Sequence, residues 1–132
     1  MVMKFLKSEW HIDAGLRMDF LLTGDRGTCF LEVKSATVVE NGVARFPDSI
    51  TPRGIKHLKA LTQKAREGHR AVLLFLIQRS DVECFKVNDI RYPDYATAFQ
   101  QALAAGVETF AVAVNVSPVG FGKPRLLPVL HG

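Results

Sequence analysis

The segment from Gly15 to Ser35, GLRMDFLLTGDRGTCFLEVKS, contains two alternating apolar runs that flank the turn signal Gly24-Asp25-Arg26-Gly27. Apolar runs on either side of a glycine-rich turn predict a β-hairpin. The predicted strands extend from about Leu16 to Thr23 and from about Thr28 to Ser35. The register of this hairpin decides which charged side chains meet.

The turn sets that register. If the four turn residues form the loop, Thr23 faces Thr28. The same register places two further pairs on one face of the sheet, which are Asp19 with Glu32 and Arg17 with Lys34. The other face carries an apolar set that we expect to meet the core, namely Met18, Phe20, Leu22, Cys29, Leu31 and Val33.

The opposed carboxylates Asp19 and Glu32 predict a metal site. Directly opposed residues lie roughly 5 Å apart at Cβ, so two carboxylates there repel each other unless positive charge lies between them. Mg²⁺ takes one or two carboxylates and completes its coordination with water and substrate phosphate. We therefore expect Asp19, Glu32 and the backbone carbonyl of Val33 to bind metal. Lys34 would orient or help to deprotonate an attacking water, or neutralise charge in the transition state.

An exposed salt-bridge ladder is the alternative interpretation of the same face. Solvent-facing strands often alternate charges, and the four residues would form such a ladder with weak energies of about 0 to 1 kcal/mol per pair. The pattern alone leaves both interpretations open.

Length and composition favour one domain, residues 1–132, because the chain is 48% hydrophobic and too short for two comfortable cores. No apolar run approaches the roughly 20 residues that cross a bilayer, and no secretory signal is apparent, so we expect a cytoplasmic protein with no membrane partner. The scattered cysteines and histidines lack zinc-ligand spacing. The net charge of +4 is compatible with an anionic partner such as nucleic acid.

The rest of the chain predicts two helices and two further strands. Thr51 as N-cap and Gly68 as a stop bracket a helix from Pro52 to Glu67. The run Arg70 to Gln78 lacks alternation, as expected of a central strand buried on both faces. A second helix, Asp94 to Ala105, and a last strand, Val107 to Val116, follow in the sequence. A helix between two strands favours a parallel crossover, so we predict an α/β domain with a mixed central sheet flanked by helices.

The first helix has a predicted apolar stripe and a predicted charged face. The stripe comprises Ile55, Leu58, Leu61, Thr62 and Ala65, and the charged face comprises Arg53, Lys56, His57 and Lys64. That face could contact a phosphate backbone, although charged helix faces are usually only solvated. Gln78 and Arg79 end the central strand, where α/β proteins tend to place functional groups. We expect Gln78 to position the attacking water or the substrate, with an ordinary strand-terminal hydrogen bond as the alternative role.

Five consecutive motifs carry a family resemblance. They are RMDFLL at 17–22, FLEVKSAT at 30–37, RFPDSITPRGIKHL at 45–58, GHRAVLLFLIQR at 68–79 and AGVETFAVAV at 105–114. On these motifs the chain resembles the sugar fermentation stimulation protein A (SfsA) family. The resemblance implies a restriction-endonuclease-like core of the PD-(D/E)xK type, whose motif residues match Asp19, Glu32 and Lys34.

The resemblance also implies a function and its partners. It implies hydrolysis of DNA or RNA with Mg²⁺ or Mn²⁺ as cofactor. The alternative is a catalytically silent, non-specific DNA-binding factor linked to sugar, in particular maltose, metabolism. Salt-sensitive binding without turnover would favour this alternative.

Several residues around the motif are candidates for further contacts. Glu9 lies where the family often carries an acidic residue, so it is a candidate metal ligand or a neighbour of one, with a solvated glutamate as the equal alternative. Arg17 either restrains the carboxylates or contacts phosphate, with mere charge balance for Asp19 as the alternative. Arg53 and His57 fall within a family-like segment, which favours contact with nucleic acid. Family members usually carry an N-terminal OB-like domain before this region, and we expect the present chain to lack it.

Overall fold

The structure is a computed structural model that describes residues 3–7, 10–12, 16–18, 20–24 and 27–130; before Leu21, at Gly24 and at Phe121 it describes the backbone alone. In chain order the elements are β1 (Met3–Lys7), β2 (Trp10–Ile12), β3 (Leu16–Met18), β4 (Phe20–Gly24), β5 (Gly27–Ser35), β6 (Val38–Glu40), β7 (Val43–Phe46), α1 (Pro52–Arg66), β8 (Arg70–Ile77), β9 (Cys84–Val87), α2 (Pro93–Ala104), β10 (Glu108–Ala113), β11 (Val116–Ser117), β12 (Gly120–Phe121), β13 (Arg125–Leu127) and β14 (Val129–Leu130).

Two mixed sheets contain ten of these strands, and the pairs β2–β3 and β11–β12 form separate two-stranded sheets. The larger sheet has the order β1-β4-β5-β8-β10-β13, and its centre consists of the parallel strands β5, β8 and β10. The smaller sheet has the order β14-β9-β7-β6. The chain passes through α1 between β5 and β8 and through α2 between β8 and β10. The predicted α/β fold with a mixed central sheet and flanking helices is therefore confirmed.

The predicted hairpin is formed by β4 and β5. Thr23 lies opposite Thr28, and the ladder continues to the pair Phe20 and Leu31, as the turn predicts. Arg17 differs from the prediction, because β3 pairs with β2 in a separate two-stranded sheet and places Arg17 opposite His11 rather than Lys34. Asp19 and Glu9 lie outside the described residues, so their predicted roles stay predictions.

The predicted helices and the central strand are confirmed to within a residue or two at their ends. The Thr51 side chain caps α1 by accepting a hydrogen bond from the backbone N–H of Gly54 at 3.0 Å. A Cβ at Gly54 would lie 2.7 Å from Thr51 Oγ1, so a glycine is what allows this close cap. The last predicted strand is shorter than expected and ends at Ala113.

The prediction that the face of β5 with Cys29, Leu31 and Val33 meets the core holds only for Cys29, which is buried. Phe30 and Ala36, which share the parity of Glu32, belong to the hydrophobic core, whereas Leu31 and Val33 are only half-buried. The reason is that α1 packs on the face that carries Glu32. Lys64 of α1 lies over the Phe30 ring, with its ammonium 5.1 Å from the ring centre. The charged pair of β5 therefore points into the protein.

Aromatic rings fill the space between the larger sheet, the smaller sheet and α2. Phe75 of β8 stacks on Phe85 of β9 with ring centres 4.2 Å apart. Phe46 of β7 meets Tyr95 of α2 edge-to-face at 5.3 Å. Tyr95 of α2 is almost fully buried. None of the helices in the described part of the chain is both long and apolar enough to cross a membrane.

Candidate functional site

Glu32 and Lys34 occupy alternate positions of β5 and therefore share one face of the larger sheet. The parallel ladder with β8 places Glu32 beside Leu73 and Lys34 beside Phe75. The Glu32 side chain is 2% exposed and the Lys34 side chain 17%, with Lys34 Nζ 3.8 Å from Glu32 Oε2. The carboxylate is thus buried, and the Lys34 side chain is the more exposed of the two.

His57 of α1 is the third member of this cluster. Its Nδ1 lies 2.6 Å from Glu32 Oε2, and its side chain is only 5% exposed. The same Nδ1 is within hydrogen-bonding distance of Lys34 Nζ, at 2.7 Å. The structure therefore brings Glu32, Lys34 and His57 into direct contact.

The prediction that His57 lies on the exposed charged face of α1 is wrong. The buried residues of α1 are Gly54, His57, Leu58, Ala60, Leu61 and Thr62. His57 follows Gly54 by three positions and precedes Leu61 by four, which is the spacing of one helix face. This spacing was the signal in the sequence that His57 is buried. A polar residue within the apolar stripe of a helix indicates that its side chain has a polar partner on the neighbouring element.

Because this cluster is buried, the charges in it have a large effect on free energy. A carboxylate removed from water is costly unless positive charge or hydrogen bonds compensate it, and the Lys34 ammonium supplies positive charge 3.8 Å from Glu32 Oε2. Tyr95 of α2 also responds to the cluster. Burial first, and the negative charge of Glu32 second, raise the pKa of the Tyr95 phenol. The Tyr95 hydroxyl has no hydrogen-bond partner among the described residues.

The donor atoms at Glu32 suit a hard cation. Carboxylate and backbone carbonyl oxygens are the ligands that Mg²⁺ and Ca²⁺ prefer, and Mg²⁺ needs only one or two protein carboxylates. Glu32 supplies such a carboxylate, and Val33 supplies the adjacent backbone carbonyl. Within the residues that the structure describes, no three His, Cys, Asp or Glu side chains lie close enough to hold a metal ion. A fully protein-built cage of that kind is thus not seen there, whereas an open site completed by water and substrate fits the donors.

The other predicted site residues lie apart from this cluster. Arg53 is exposed in the first turn of α1. Gln78 lines a small cavity together with Leu76 and Val114. Leu76 faces away from the buried core that holds Phe75 and Ile77, so this cavity lies on the opposite side of the sheet from Glu32.

Arg79 is committed to contacts of its own at the end of β8. Its Nε donates to Asp81 Oδ1 at 2.8 Å, and its Nη1 donates to the backbone carbonyl of Thr37 at 3.2 Å. The hydrogen bond from Arg79 lowers the pKa of the Asp81 carboxyl. This arrangement gives Arg79 a structural role that accounts for its position.

Comparison with known proteins gives consistent matches over most of the chain. The family model described as "Sugar fermentation stimulation protein RE domain" matches residues 2–120. A sugar fermentation stimulation protein homolog of Desulforamulus reducens is 48% identical over 113 residues, which cover 86% of this chain and 47% of that protein. A homolog of Citrifermentans bemidjiense is 41% identical over 125 residues, covering 95% of this chain and 54% of that protein. The chain thus spans about half the length of these curated relatives.

A solved structure is also similar. The structure of Pyrococcus furiosus SfsA in complex with Ca²⁺ matches with a TM-score of 0.90 and 32% sequence identity. The match covers 98% of this chain and 56% of that one. The likeness is consistent with a restriction-endonuclease-like fold.

Proposed function

The chain belongs to the sugar fermentation stimulation protein family, and from this membership we propose that Glu32 and Lys34 are part of a metal-dependent site that hydrolyses phosphodiester bonds of nucleic acid. The observation that carries the proposal is the burial of Glu32 at 2% exposure beside Lys34. An exposed salt-bridge ladder does not account for it, because a buried carboxylate is costly and adds little stability even when paired. Buried charges that cost free energy in this way are usually found at functional sites.

The proposed metal is Mg²⁺ or Mn²⁺. Its protein ligands would be the carboxylates of Glu32 and Asp19 and the backbone carbonyl of Val33. The Pyrococcus furiosus relative is described in complex with Ca²⁺, another hard cation that binds oxygen ligands. When bound, the metal would neutralise charge on the phosphate oxygens. The observed register of β4 and β5 runs to Phe20 and Leu31, and it agrees with the register from which Asp19 is predicted to face Glu32.

Lys34 would act on the phosphate itself. Its ammonium is a compact point charge with three donor hydrogens, suited to an oxyanion that develops during displacement. Its partial exposure lets it reach a phosphate that approaches from solvent, whereas Glu32 behind it is shielded. Lys34 would therefore stabilise the transition state or orient the attacking water, and Glu32 would stay ionised as a ligand.

The proposed substrate is DNA or RNA. The net charge of +4 favours a polyanion, and the exposed Arg53 lies one helical turn before His57, on the element that covers the cluster. Contacts from arginine to phosphate would position the strand without reading its sequence.

The test combines metal titration with cleavage. Calorimetric titration of Mg²⁺ and Mn²⁺ into wild type should show binding that Asp19→Ala and Glu32→Gln abolish. Cleavage of single- and double-stranded DNA and RNA should disappear in the same variants. Glu40→Gln, an exposed carboxylate on β6, is the matched control and should change neither result. Full cleavage by Asp19→Ala would contradict the proposal.

A DNA-binding factor without turnover, linked to sugar metabolism, is the second candidate. The observation that favours it is that His57 already contacts both Glu32 and Lys34, so these side chains are engaged with one another within the protein. Binding of DNA that weakens steeply with salt, together with no cleavage at any Mg²⁺ or Mn²⁺ concentration, would select this candidate.

A further inference from the structure

We propose that a cavity between the first turns of α1 and α2 receives one unpaired base of the nucleic acid, so that the preferred substrate is single-stranded. This inference rests on the proposed function and deepens it, because it names the form of nucleic acid that the site takes. The cavity has a volume of about 440 Å³. Pockets for small organic groups have volumes of roughly 300 to 1,000 Å³, so one base fits within it.

The cavity has a buried floor, an exposed rim and mainly apolar or aromatic walls. Pro47 and Tyr95 line it and are almost fully buried, whereas Ile50 lines it at 83% exposure. The Tyr92 ring is a further wall, and it is held by the hydrogen bond that its hydroxyl donates to the backbone carbonyl of Asp48 at 2.9 Å. Bases stack on surfaces of this kind whatever their sequence, because every base has a flat π-face.

Two polar side chains in the cavity suit the edge of a base. The Asp94 carboxylate accepts hydrogen bonds, and the amino and ring N–H groups of bases donate them. The Thr51 hydroxyl accepts from the backbone N–H of Gly54 at 3.0 Å and still has its own hydrogen to donate. Apolar walls with a few polar groups are the usual composition of a site for a small organic group.

Positive charge flanks the cavity on the path that a strand would follow. Arg91 lines the cavity and is exposed, and Arg53 is exposed in the first turn of α1. That turn, which the structure describes in full, carries no acidic residue, so the positive end of the helix dipole is not neutralised there. These groups attract the phosphates on either side of a base that enters the cavity.

The cavity adjoins the cluster of Glu32, Lys34 and His57. Tyr95 lines the cavity, and the negative charge of Glu32, second to burial, raises the pKa of its phenol. Ile55 lines the cavity from α1, two positions before His57. A strand with a phosphate at Lys34 would therefore bring a neighbouring base to the cavity. A duplex must first unpair and unstack that base at a cost in free energy, whereas a single strand offers it directly.

Two exposed isoleucines provide a matched pair of variants. Ile50 lines the cavity, whereas Ile90, at 88% exposure, is not one of the described residues that line it. Ile50→Ser and Ile90→Ser remove the same apolar group and leave the net charge unchanged. Urea denaturation establishes that both variants are folded. The probes are a labelled oligothymidylate, a duplex of the same length, and an oligonucleotide of that length made of abasic spacers.

The measurement is fluorescence anisotropy without divalent metal, so that no probe is cleaved. We expect wild type to bind oligothymidylate more tightly than the duplex and the abasic strand. Ile50→Ser should weaken binding of oligothymidylate by about 5- to 10-fold and leave the other two probes unchanged, because only an unpaired base reaches the cavity. Ile90→Ser should change none of the three. Equal losses on oligothymidylate and on the abasic strand, equal losses in the two variants, or tighter binding of the duplex would overturn the proposal.

Failure of the proposed function gives a different result. Binding of oligothymidylate that depends on Ile50, without cleavage at any Mg²⁺ or Mn²⁺ concentration, would contradict the phosphodiesterase and uphold the base site. Cleavage by wild type, with binding that does not depend on the presence of bases, would overturn the base site and leave the phosphodiesterase in place.

Discussion

Lys34 Nζ lies 3.8 Å from Glu32 Oε2, although the Lys34 side chain is 17% exposed and that of Glu32 only 2%. The two residues therefore share one face of β5 at different depths. Glu32 is shielded from solvent by the protein, whereas the Lys34 side chain is partly exposed to it. This difference separates a role in holding a cation from a role in contacting a phosphate.

Replacing Lys34 should separate the two roles experimentally. In Lys34→Met we expect cleavage to fall by about 10²- to 10³-fold, because a charge aimed at the developing oxyanion is lost. Mg²⁺ affinity should be preserved or increased, because a positive charge beside the cation is removed. Lys59→Met, exposed on α1, should leave both quantities unchanged. Loss of metal binding in Lys34→Met with intact folding would contradict this division.

The two tyrosines allow a comparison of how a hydroxyl with a hydrogen-bond partner and one without affect the free energy of unfolding. The buried Tyr95 hydroxyl has no hydrogen-bond partner in the described part of the protein, whereas the Tyr92 hydroxyl donates to the backbone carbonyl of Asp48 at 2.9 Å. Tyr95→Phe should leave the free energy of unfolding unchanged or raise it, and Tyr92→Phe should lower it by about 0.5 to 1.5 kcal/mol. Urea denaturation of both variants checks this. The reverse order would show that Tyr95 has a partner.

The Tyr95 phenol also predicts a pH dependence. Its pKa is raised, first by burial and second by Glu32, so the folded state resists ionisation. The unfolded chain loses this proton above a pH of about 10, and the folded state keeps it, so stability falls as pH rises beyond that point. Tyr95→Phe should show a shallower fall of the free energy of unfolding at alkaline pH. Identical slopes for the two proteins would contradict the prediction.

The cysteines should differ in their reactivity with thiol reagents. Cys29 is 3% exposed, and burial raises the pKa of its thiol, so thiolate is scarce in the folded protein. Cys84 is only partly buried. We expect one thiol to react with a disulfide reagent in the native state and the second only on unfolding. Cys84→Ser should abolish the native reaction, and Cys29→Ser should preserve it.

The helix cap predicts a non-additive pair of substitutions. Thr51→Ala should lower the free energy of unfolding by about 0.5 to 2 kcal/mol, because the Gly54 N–H loses its acceptor. Gly54→Ala should also destabilise, despite the helix propensity of alanine, because its Cβ would lie 2.7 Å from Thr51 Oγ1. In the Thr51→Ala background this second cost should shrink. Thermal denaturation of the four proteins in the cycle measures the difference.

The elements were predictable because their boundaries are set locally. The turn before Thr28 fixed the β4–β5 register, and Thr51 and Gly68 bracketed α1. Alternation in β5 divided its side chains between two faces but could not tell which face a helix would cover. The parity of Phe30 with Glu32 was the available hint, since an aromatic residue seldom shares a purely solvated face.

The cluster was predictable only in part, because its third member is distant in sequence. His57 lies 23 positions from Lys34, and only the packing of α1 on β5 brings them together. When His57 is counted among the charged residues, its position in the apolar stripe of the helix is also overlooked. Gln78 shows that a correctly predicted position along the chain does not give the face of the sheet. It lies at the end of the central strand, as predicted, but it lines a cavity on the side of the sheet away from Glu32.

The hydrogen bond between Gly54 and Thr51 sets the rotational position of the site on α1. Each residue turns an α-helix by about 100°, so the starting point of α1 determines the direction in which His57 points six positions later. One extra residue between them would swing the ring away from Glu32 while leaving helix content and composition nearly unchanged. The spacing from 51 to 57 is thus a dimension of the site, as much as any distance between its atoms.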